Sequence, residues 1–583
     1  MIPFTNSRRA FLAALALAAI GAGSAGAQES RRGFYAPPAA GAYHPVFAEH
    51  GMVVAQEKLA AQIGADILRQ GGNAVDAAVA TGFALAVTYP RAGNIGGGGF
   101  MIIHSADRKQ DVAIDYRETA PAATTRDLFL GADGKPDIAK SRDSALAIGV
   151  PGSVAGLALA LEKYGSGTLT LADILRPAIA LARDGVVIAD DSADTLPEWH
   201  KRLAKWPAST KIFFRADGSS LREGDTLIQA DLAATLSAIS EQGPRGFYEG
   251  PVAEKLVNAI RDAGGIMTQD DLKSYQPLVR APVRGSYRGY DIVSMPQPSS
   301  GGVVLLETLN ILEGFAMHEM AQGSAPSLHV MIEAMKRAYS DRARYLGDPA
   351  FVNAPIAALI AKDYAAKQRA GIDLARATPW TDALSAVPPR EGSNTTHFSV
   401  VDSRGNAVSN TYTLNFSYGV GLVAEGTGVL LNNELDDFTA APGASNAFGL
   451  VGFEANLPGP AKRPLSSMAP TIVLKDGRPV LVTGSPGGSR IISAVLQVIV
   501  NVLDYNMDVA AAVAAPRLHH QWLPDEVRIE RGFSDETIAA LKAMGHVIVV
   551  PLGQTSANSI AVTAHGLLGA PDPRTRGAEA AGQ

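Results

Sequence analysis

Asn394-Thr395-Thr396-His397-Phe398-Ser399-Val400-Val401 is the stretch on which the reading of this chain turns. The residues before it, 366–393, hold Pro379, Pro388-Pro389 and Gly392 and read as an exposed, loop-like segment. After Ser393 the texture changes. His397 to Val401, Ala407 to Leu414, Pro470 to Val473 and Pro479 to Thr483 read as short strands, and a helix follows from about Ile491 to Leu503. Strands followed by a helix predict a layered α/β protein with antiparallel sheet. A cut before Thr395 would place that threonine at the start of a strand with a free α-amino group. A threonine hydroxyl is a weak nucleophile alone, but an α-amine with a pKa of ~7.7–8.0 beside it can serve as its base. A Thr-Thr pair on a strand is also common, so the motif must be weighed with the rest of the chain.

Toward the N-terminus, Leu59, Ile63, Ile67 and Leu68 recur at helical spacing from Glu57 onward. Gly71-Gly72 ends that helix, and Asn73 can cap the next. That second helix, Ala74 to about Val87, is apolar nearly all round and should be buried. A glycine-rich turn, Gly96 to Gly99, then feeds a strand at Phe100 to His104, with a second at Val112 to Tyr116. Residues 145–280 alternate helical segments with Gly/Pro breaks, and two further helices fall near 302–314 and 327–346. No repeat of fixed period is present.

Composition narrows the chemistry. The 583 residues include 59 glycines and no cysteine. This excludes disulfides, thiolate metal sites and a cysteine nucleophile. With 51 basic and 57 acidic residues the net charge is −6, which does not suggest a nucleic-acid partner. Ser7-Arg8-Arg9-Ala10-Phe11-Leu12, an apolar run to Ile20 and Ala25-Gly26-Ala27 make a secretory signal, cut after Ala27. The paired arginines fit twin-arginine export, with an ordinary Sec signal as the alternative. No later segment has the ~18 consecutive apolar residues of a membrane span.

Three motifs invite other chemistry. The Gly96–Gly99 run lacks the Lys-Ser/Thr of a phosphate loop and reads as a turn where backbone packs on backbone. Thr483-Gly484-Ser485-Pro486-Gly487-Gly488-Ser489-Arg490 resembles a nucleophile elbow, but position 483 is not glycine and Pro486 removes an N–H. The amides of Gly487 and Gly488, before a helix, can instead stabilise an oxyanion, unless the turn is merely structural. His519-His520 lacks a metal-binding pattern and reads as packing or hydrogen-bonding histidines.

Longer motifs add a resemblance. Gly71-Gly72-Asn73-Ala74-Val75-Asp76-Ala77, Gly93-Asn94-Ile95-Gly96-Gly97-Gly98-Gly99-Phe100-Met101, Tyr116-Arg117-Glu118, Leu431-Asn432-Asn433-Glu434-Leu435-Asp436-Asp437-Phe438, Arg463-Pro464-Leu465-Ser466-Ser467-Met468 and the 484–490 segment join the Thr395 stretch. Together they resemble the γ-glutamyltransferases, which are N-terminal-nucleophile hydrolases, over nearly all of the mature chain. The resemblance implies an α+β fold, a four-layer αββα sandwich. It implies self-cleavage between Asn394 and Thr395, giving a large subunit (28–394) and a small catalytic one (395–583) within one interwoven unit. It implies Thr395 as nucleophile, Thr413 as its hydrogen-bond partner, and Gly487 and Gly488 as the oxyanion hole. No metal or organic cofactor is implied.

A γ-glutamyl group carries an α-carboxylate and an α-ammonium. Arg117 offers a planar fork to the first, with donors from Ser466 and Ser467. Asp437 and Glu434 accept from the second, with Asn415 assisting. Pro442 to Gly452 resembles the family's lid, with Phe448 where many relatives have tyrosine. A phenylalanine cannot make the hydroxyl hydrogen bond that latches the lid to Asn415, which predicts a more loosely gated lid. The expected substrates are glutathione or a related γ-glutamyl donor, with water, an amino acid or a peptide as acceptor, in the periplasm. The alternatives are a glutaryl-cephalosporin acylase of the same superfamily and a periplasmic peptide-binding protein. A glutaryl group has no α-amine and would leave Asp437 and Glu434 without purpose.

Overall fold

The computed structural model describes residues 43–380, 395–550 and 555–583; the signal segment and Asn394 lie outside them. Two large sheets of seven strands each carry the fold. In chain order their strands are β1 (Val46–Ala48), β2 (Met52–Ala55), β3 (Gly98–Ser105), β4 (Gln110–Tyr116), β5 (Leu278–Arg280), β6 (Val283–Tyr287), β7 (Tyr290–Ser294), β8 (Thr395–Val401), β9 (Ala407–Thr413), β10 (Thr471–Lys475), β11 (Arg478–Thr483), β12 (Ser559–Thr563), β13 (Gly566–Ala570) and β14 (Glu579–Gly582). One sheet runs β14-β2-β8-β9-β3-β4-β5 and the other β1-β13-β12-β11-β10-β7-β6. The central pairs are antiparallel.

Strand alternation sorts side chains between two cores, because successive residues face opposite sides. On β3, Met101 and Ile103 join a core with Phe398 and Val400 of β8. Phe100 and Ile102 point the other way, into the core that contains Val473, Leu481 and Val482. Helices α1 (Lys58–Arg69) and α2 (Ala74–Thr88) cover the first sheet. Every residue of α2 is buried, as its uniformly apolar sequence requires. Glu57 caps α1, and Asn73 with Asp76 forms a capping box on α2. Helix α3 (Gly301–Leu312) lies on β6 and β7, beside α4 (Ala325–Tyr345) and α5 (Ile491–Leu503). The order helix, sheet, sheet, helix is the expected αββα sandwich.

Part of the layer between the sheets is polar. Ser409 Oγ donates to Thr483 O at 2.8 Å and accepts from Thr471 N at 3.0 Å. Ser399 Oγ donates to Asn558 O, and Asn558 Nδ2 returns a bond to His397 O, each at 2.9 Å. These short side chains are buried without cost in unmade hydrogen bonds.

Two expectations need correction. The segment 366–393 is not loop throughout, because a helix spans Lys362–Ala370. The hairpin β6–β7 went unforeseen. Each strand is only five residues long and β6 holds few apolar residues, yet Arg288 (φ 51°) and Gly289 (φ 77°) form the paired left-handed turn that joins such strands. The strands expected at 100–104, 112–116, 397–401, 407–414, 470–473 and 479–483 are all present within two residues of the expected bounds. Among the described residues, no helix is long and apolar enough to cross a membrane.

Candidate active site

The nucleophile pair follows from strand register. Thr395, first on β8, lies opposite Thr413, last on β9. Thr395 Oγ1 donates to Thr413 Oγ1 at 3.1 Å, and the amide of Asn415 donates to the same oxygen at 2.9 Å. The glycine run holds this corner in place. A Cβ at Gly97 would overlap the carbonyl oxygen of Thr413, and one at Gly99 would lie 2.5 Å from Thr411 O. The run is the backbone-on-backbone turn that its sequence suggested. Beyond Thr413 the chain turns through Asn415 (φ 70°), whose Nδ2 donates to Asn433 O at 2.9 Å.

The end of β11 supplies the second wall. Gly487 (φ 131°) and Gly488 (φ 59°) occupy backbone conformations that favour glycine and open the turn into α5. The first amides of such a turn have no partner within it and carry the positive end of the helix dipole. Gly488 lines the cleft, and Gly487 directly precedes it. Ser485 is not a nucleophile candidate here. It is fully buried, donates to Pro486 O at 2.7 Å and accepts from Ser556 N at 3.1 Å.

One narrow cleft, with a cavity volume of about 20 Å³, brings together Thr395, Thr413, Asn415 and Gly488 with Arg117, Glu434, Asp437, Ser466, Ser467 and Phe448. Arg117 follows β4 and is wholly buried. Its fork is engaged differently from the simplest sequence reading. Nη1 donates to Glu434 Oε1, Nη2 to Asp437 Oδ2 at 2.6 Å, and Nε to Pro464 O at 3.1 Å. The cation expected for a carboxylate and the acids expected for an ammonium therefore form one ion-paired cluster. Burial opposes the charge on Arg117, but Glu434, Asp437 and Glu118 outweigh it and hold the guanidinium firmly protonated. Burial raises the carboxyls of Glu434 and Glu118, against the pull of Arg117. Ser466 Oγ accepts from Met468 N at 3.0 Å, and Ser467 Oγ from Arg342 Nη2 at 3.3 Å.

The 442–452 segment covers this cluster. Asn446 Nδ2 donates to Asp437 Oδ1 at 3.0 Å, and Ala447 N to Asp436 Oδ2 at 3.1 Å. Burial lifts Asp436 to about 6, while Arg142 and Ser141 oppose the rise. Phe448 meets Phe416 edge-on at 6.1 Å, and a Cβ at Gly488 would strike its ring. Its carbonyl accepts from Gln521 Nε2 at 3.0 Å. Apolar packing and backbone bonds hold the segment where a tyrosine hydroxyl is missing.

The paired histidines point apart, as expected. His519 bonds Ser493 and Gln521, each at 2.9 Å, while His520 bonds Asp525 at 3.1 Å and accepts from Trp522 N. Among the described residues no group of His, Asp and Glu could hold a metal ion. Sequence reasoning missed Arg342, Met468 and Ile491 at this site. Arg342 left no distinguishing signal, because the same helix also carries Glu333, Lys336, Arg337, Asp341 and Arg344.

The family profile described as Gamma-glutamyltranspeptidase matches residues 60–582. A glutathione hydrolase proenzyme of Escherichia coli (strain K12) is 51% identical over 535 residues, covering 91% of this chain and 92% of its own. Among solved structures, a Helicobacter pylori gamma-glutamyltranspeptidase is 46% identical over 55% of this chain and 91% of its own, with a TM-score of 0.54. A cephalosporin acylase from Bacillus halodurans is 28% identical over 95% of this chain and 99% of its own, with a TM-score of 0.81. With the profile spanning most of its length and relatives matched nearly end to end, this chain belongs to the gamma-glutamyltranspeptidase family.

Proposed function

We propose that the protein is a self-processing γ-glutamyltransferase and hydrolase. It cleaves the γ-glutamyl amide of glutathione and related compounds and passes the acyl group to water, an amino acid or a peptide. The observation that carries this reading is the meeting of Thr395 and Thr413 with the Arg117–Glu434–Asp437 cluster in one cleft. Thr395 Oγ1 first attacks the carbonyl of Asn394, the amide nitrogen leaves as a free α-amine, and water hydrolyses the resulting ester, which releases the Asn394 carboxylate and frees the Thr395 hydroxyl. That amine then serves as base for attack on the substrate amide. Thr413 orients the hydroxyl, and the amides of Gly487 and Gly488 stabilise the tetrahedral oxyanion. A γ-glutamyl–Thr395 ester forms, the amine product leaves, and the acceptor resolves the ester. The α-ammonium lies against Asp437 and Glu434, aided by Asn415, while the α-carboxylate meets Arg117, Ser466 and Ser467. Export to the periplasm, by the signal ending at Ala27, completes the reading.

A denaturing gel with N-terminal sequencing tests the first half. Two fragments are expected, the smaller beginning at Thr395, and one chain only from Thr395→Ala. A single chain from the parent protein would exclude this function and favour a binding protein. Relative rates on γ-glutamyl and glutaryl anilides test the second half. The acylase reading, favoured by the likeness to a cephalosporin acylase, requires the glutaryl compound to be the better substrate.

A further inference from the structure

Arg342 lies on α4 and is 5% exposed. Its partners among the described residues are two serine hydroxyls, not a carboxylate. Nε donates to Ser300 Oγ at 2.9 Å and Nη2 to Ser467 Oγ at 3.3 Å. A buried charge without an ionic partner is costly, and such groups concentrate where function needs them. Burial brings the Arg342 pKa down to about 10, with Tyr339 and Asp437 opposing the fall and Arg117 adding to it. It therefore keeps its charge at neutral pH.

The proton bookkeeping at the serines gives that charge a direction. A hydroxyl has one hydrogen to give and two lone pairs to accept with. Ser467 accepts from Arg342, and Ser466 accepts from Met468 N. Neither hydroxyl donates to another described residue, and both line the cleft. Their hydrogens are left for an anion there. Ser300, itself held by Arg342, donates through both Oγ (2.7 Å) and N (2.8 Å) to Ser466 O. One guanidinium thus grips Ser467 by its side chain and Ser466 by its backbone.

We propose that Arg342 is a positioning residue for the substrate α-carboxylate: it turns the Ser467 hydroxyl toward the ligand, anchors Ser466 through Ser300, and adds a second positive charge behind Arg117. The proposal rests on the γ-glutamyl reading above. It predicts a selective effect, because self-cleavage at Thr395 involves no substrate carboxylate. Arg342→Met should raise KM for a γ-glutamyl anilide roughly tenfold, the loss of one charge-supported hydrogen bond. Its kcat should stay within about twofold and its self-cleavage rate should match the parent's. Arg342→Lys, which restores the charge but not the fork, should recover part of the KM. An unchanged KM, or kcat and self-cleavage falling in step with it, would overturn the proposal. If Arg342→Met does not accumulate as folded protein, Arg342→Lys and Ser300→Ala decide alone. Both should raise KM severalfold with self-cleavage intact, and a parental KM in both overturns the idea. A parent enzyme inactive on γ-glutamyl anilides would instead sink the functional reading itself.

Discussion

A threonine hydroxyl needs help to act as a nucleophile, and here strand pairing provides it. Thr395 and Thr413 meet because the first residue of β8 is in register with the last of β9. Thr413→Val keeps the volume and removes the hydrogen bond. It should lower kcat roughly 10–100-fold with little change in KM, measured on a γ-glutamyl anilide. Asp437 has a different place: its carboxylate borders the cleft beside Arg117, and on the proposed function it separates a substrate ammonium from a hydrogen atom. Asp437→Ala should cut the preference for γ-glutamyl over glutaryl anilide by roughly tenfold or more, chiefly by losing the γ-glutamyl rate. An unchanged preference would mean that the ammonium is read elsewhere.

Two elements set the walls of the cleft, and both depend on what a Cβ would hit. Gly97 is packed against the Thr413 carbonyl, so Gly97→Ala must move the residue that orients the nucleophile. It should abolish self-cleavage, seen as a single band on a gel. Gly459→Ala, where the nearest atom to an added Cβ is 3.9 Å away, should process normally. The second element is the 442–452 segment. Packing of Phe448 on Phe416 and Gly488 supplies part of the restraint that a lid tyrosine would give. Phe448→Tyr should slow ligand release if the added hydroxyl reaches Asn415, and equal off-rates would count against a gating role for this position.

At the scale of the molecule, both sheets draw strands from either side of position 395. β8 and β9 sit between β2 and β3 in one sheet, and β10 to β13 sit between β1 and β7 in the other. Cutting the chain there would leave two fragments that each contribute strands to both sheets. They should co-elute in gel filtration without denaturant and separate only when unfolded, with or without reductant, because there is no cysteine. Acid should weaken the assembly for an identifiable reason. Burial lowers His397 and His519 from 6.5 to about 3, so both stay neutral in the fold while the unfolded chain takes up their protons. Their contribution is complete above pH 6.5 and is lost as pH falls from there toward 3. Each removes about 1.4 kcal/mol per pH unit within that window. Thermal midpoints at pH 7.5, 5.5 and 4.5 should therefore fall, and a flat series would contradict this account.

The sequence by itself determined much of this. Its periodicity located α2, α5 and the central strands, because each fills a buried face with one kind of residue. Its motifs, through their resemblance to the γ-glutamyltransferases, pointed to Thr395, Thr413, Arg117, Glu434, Asp437, Ser466 and Ser467, and charge matching to a zwitterionic acyl group suits the last five. The short edge strand β6 was less legible, since a half-exposed strand carries few apolar residues. Only the tertiary structure decided how the charges pair. Arg117 is 317 and 320 residues from its two acids, and Arg342 is 125 from Ser467. Local sequence dictates dihedral angles and burial, but not which distant charge will share a dry cleft. That follows from the packing of two sheets, which sets partner distances and removes the water that would otherwise screen them.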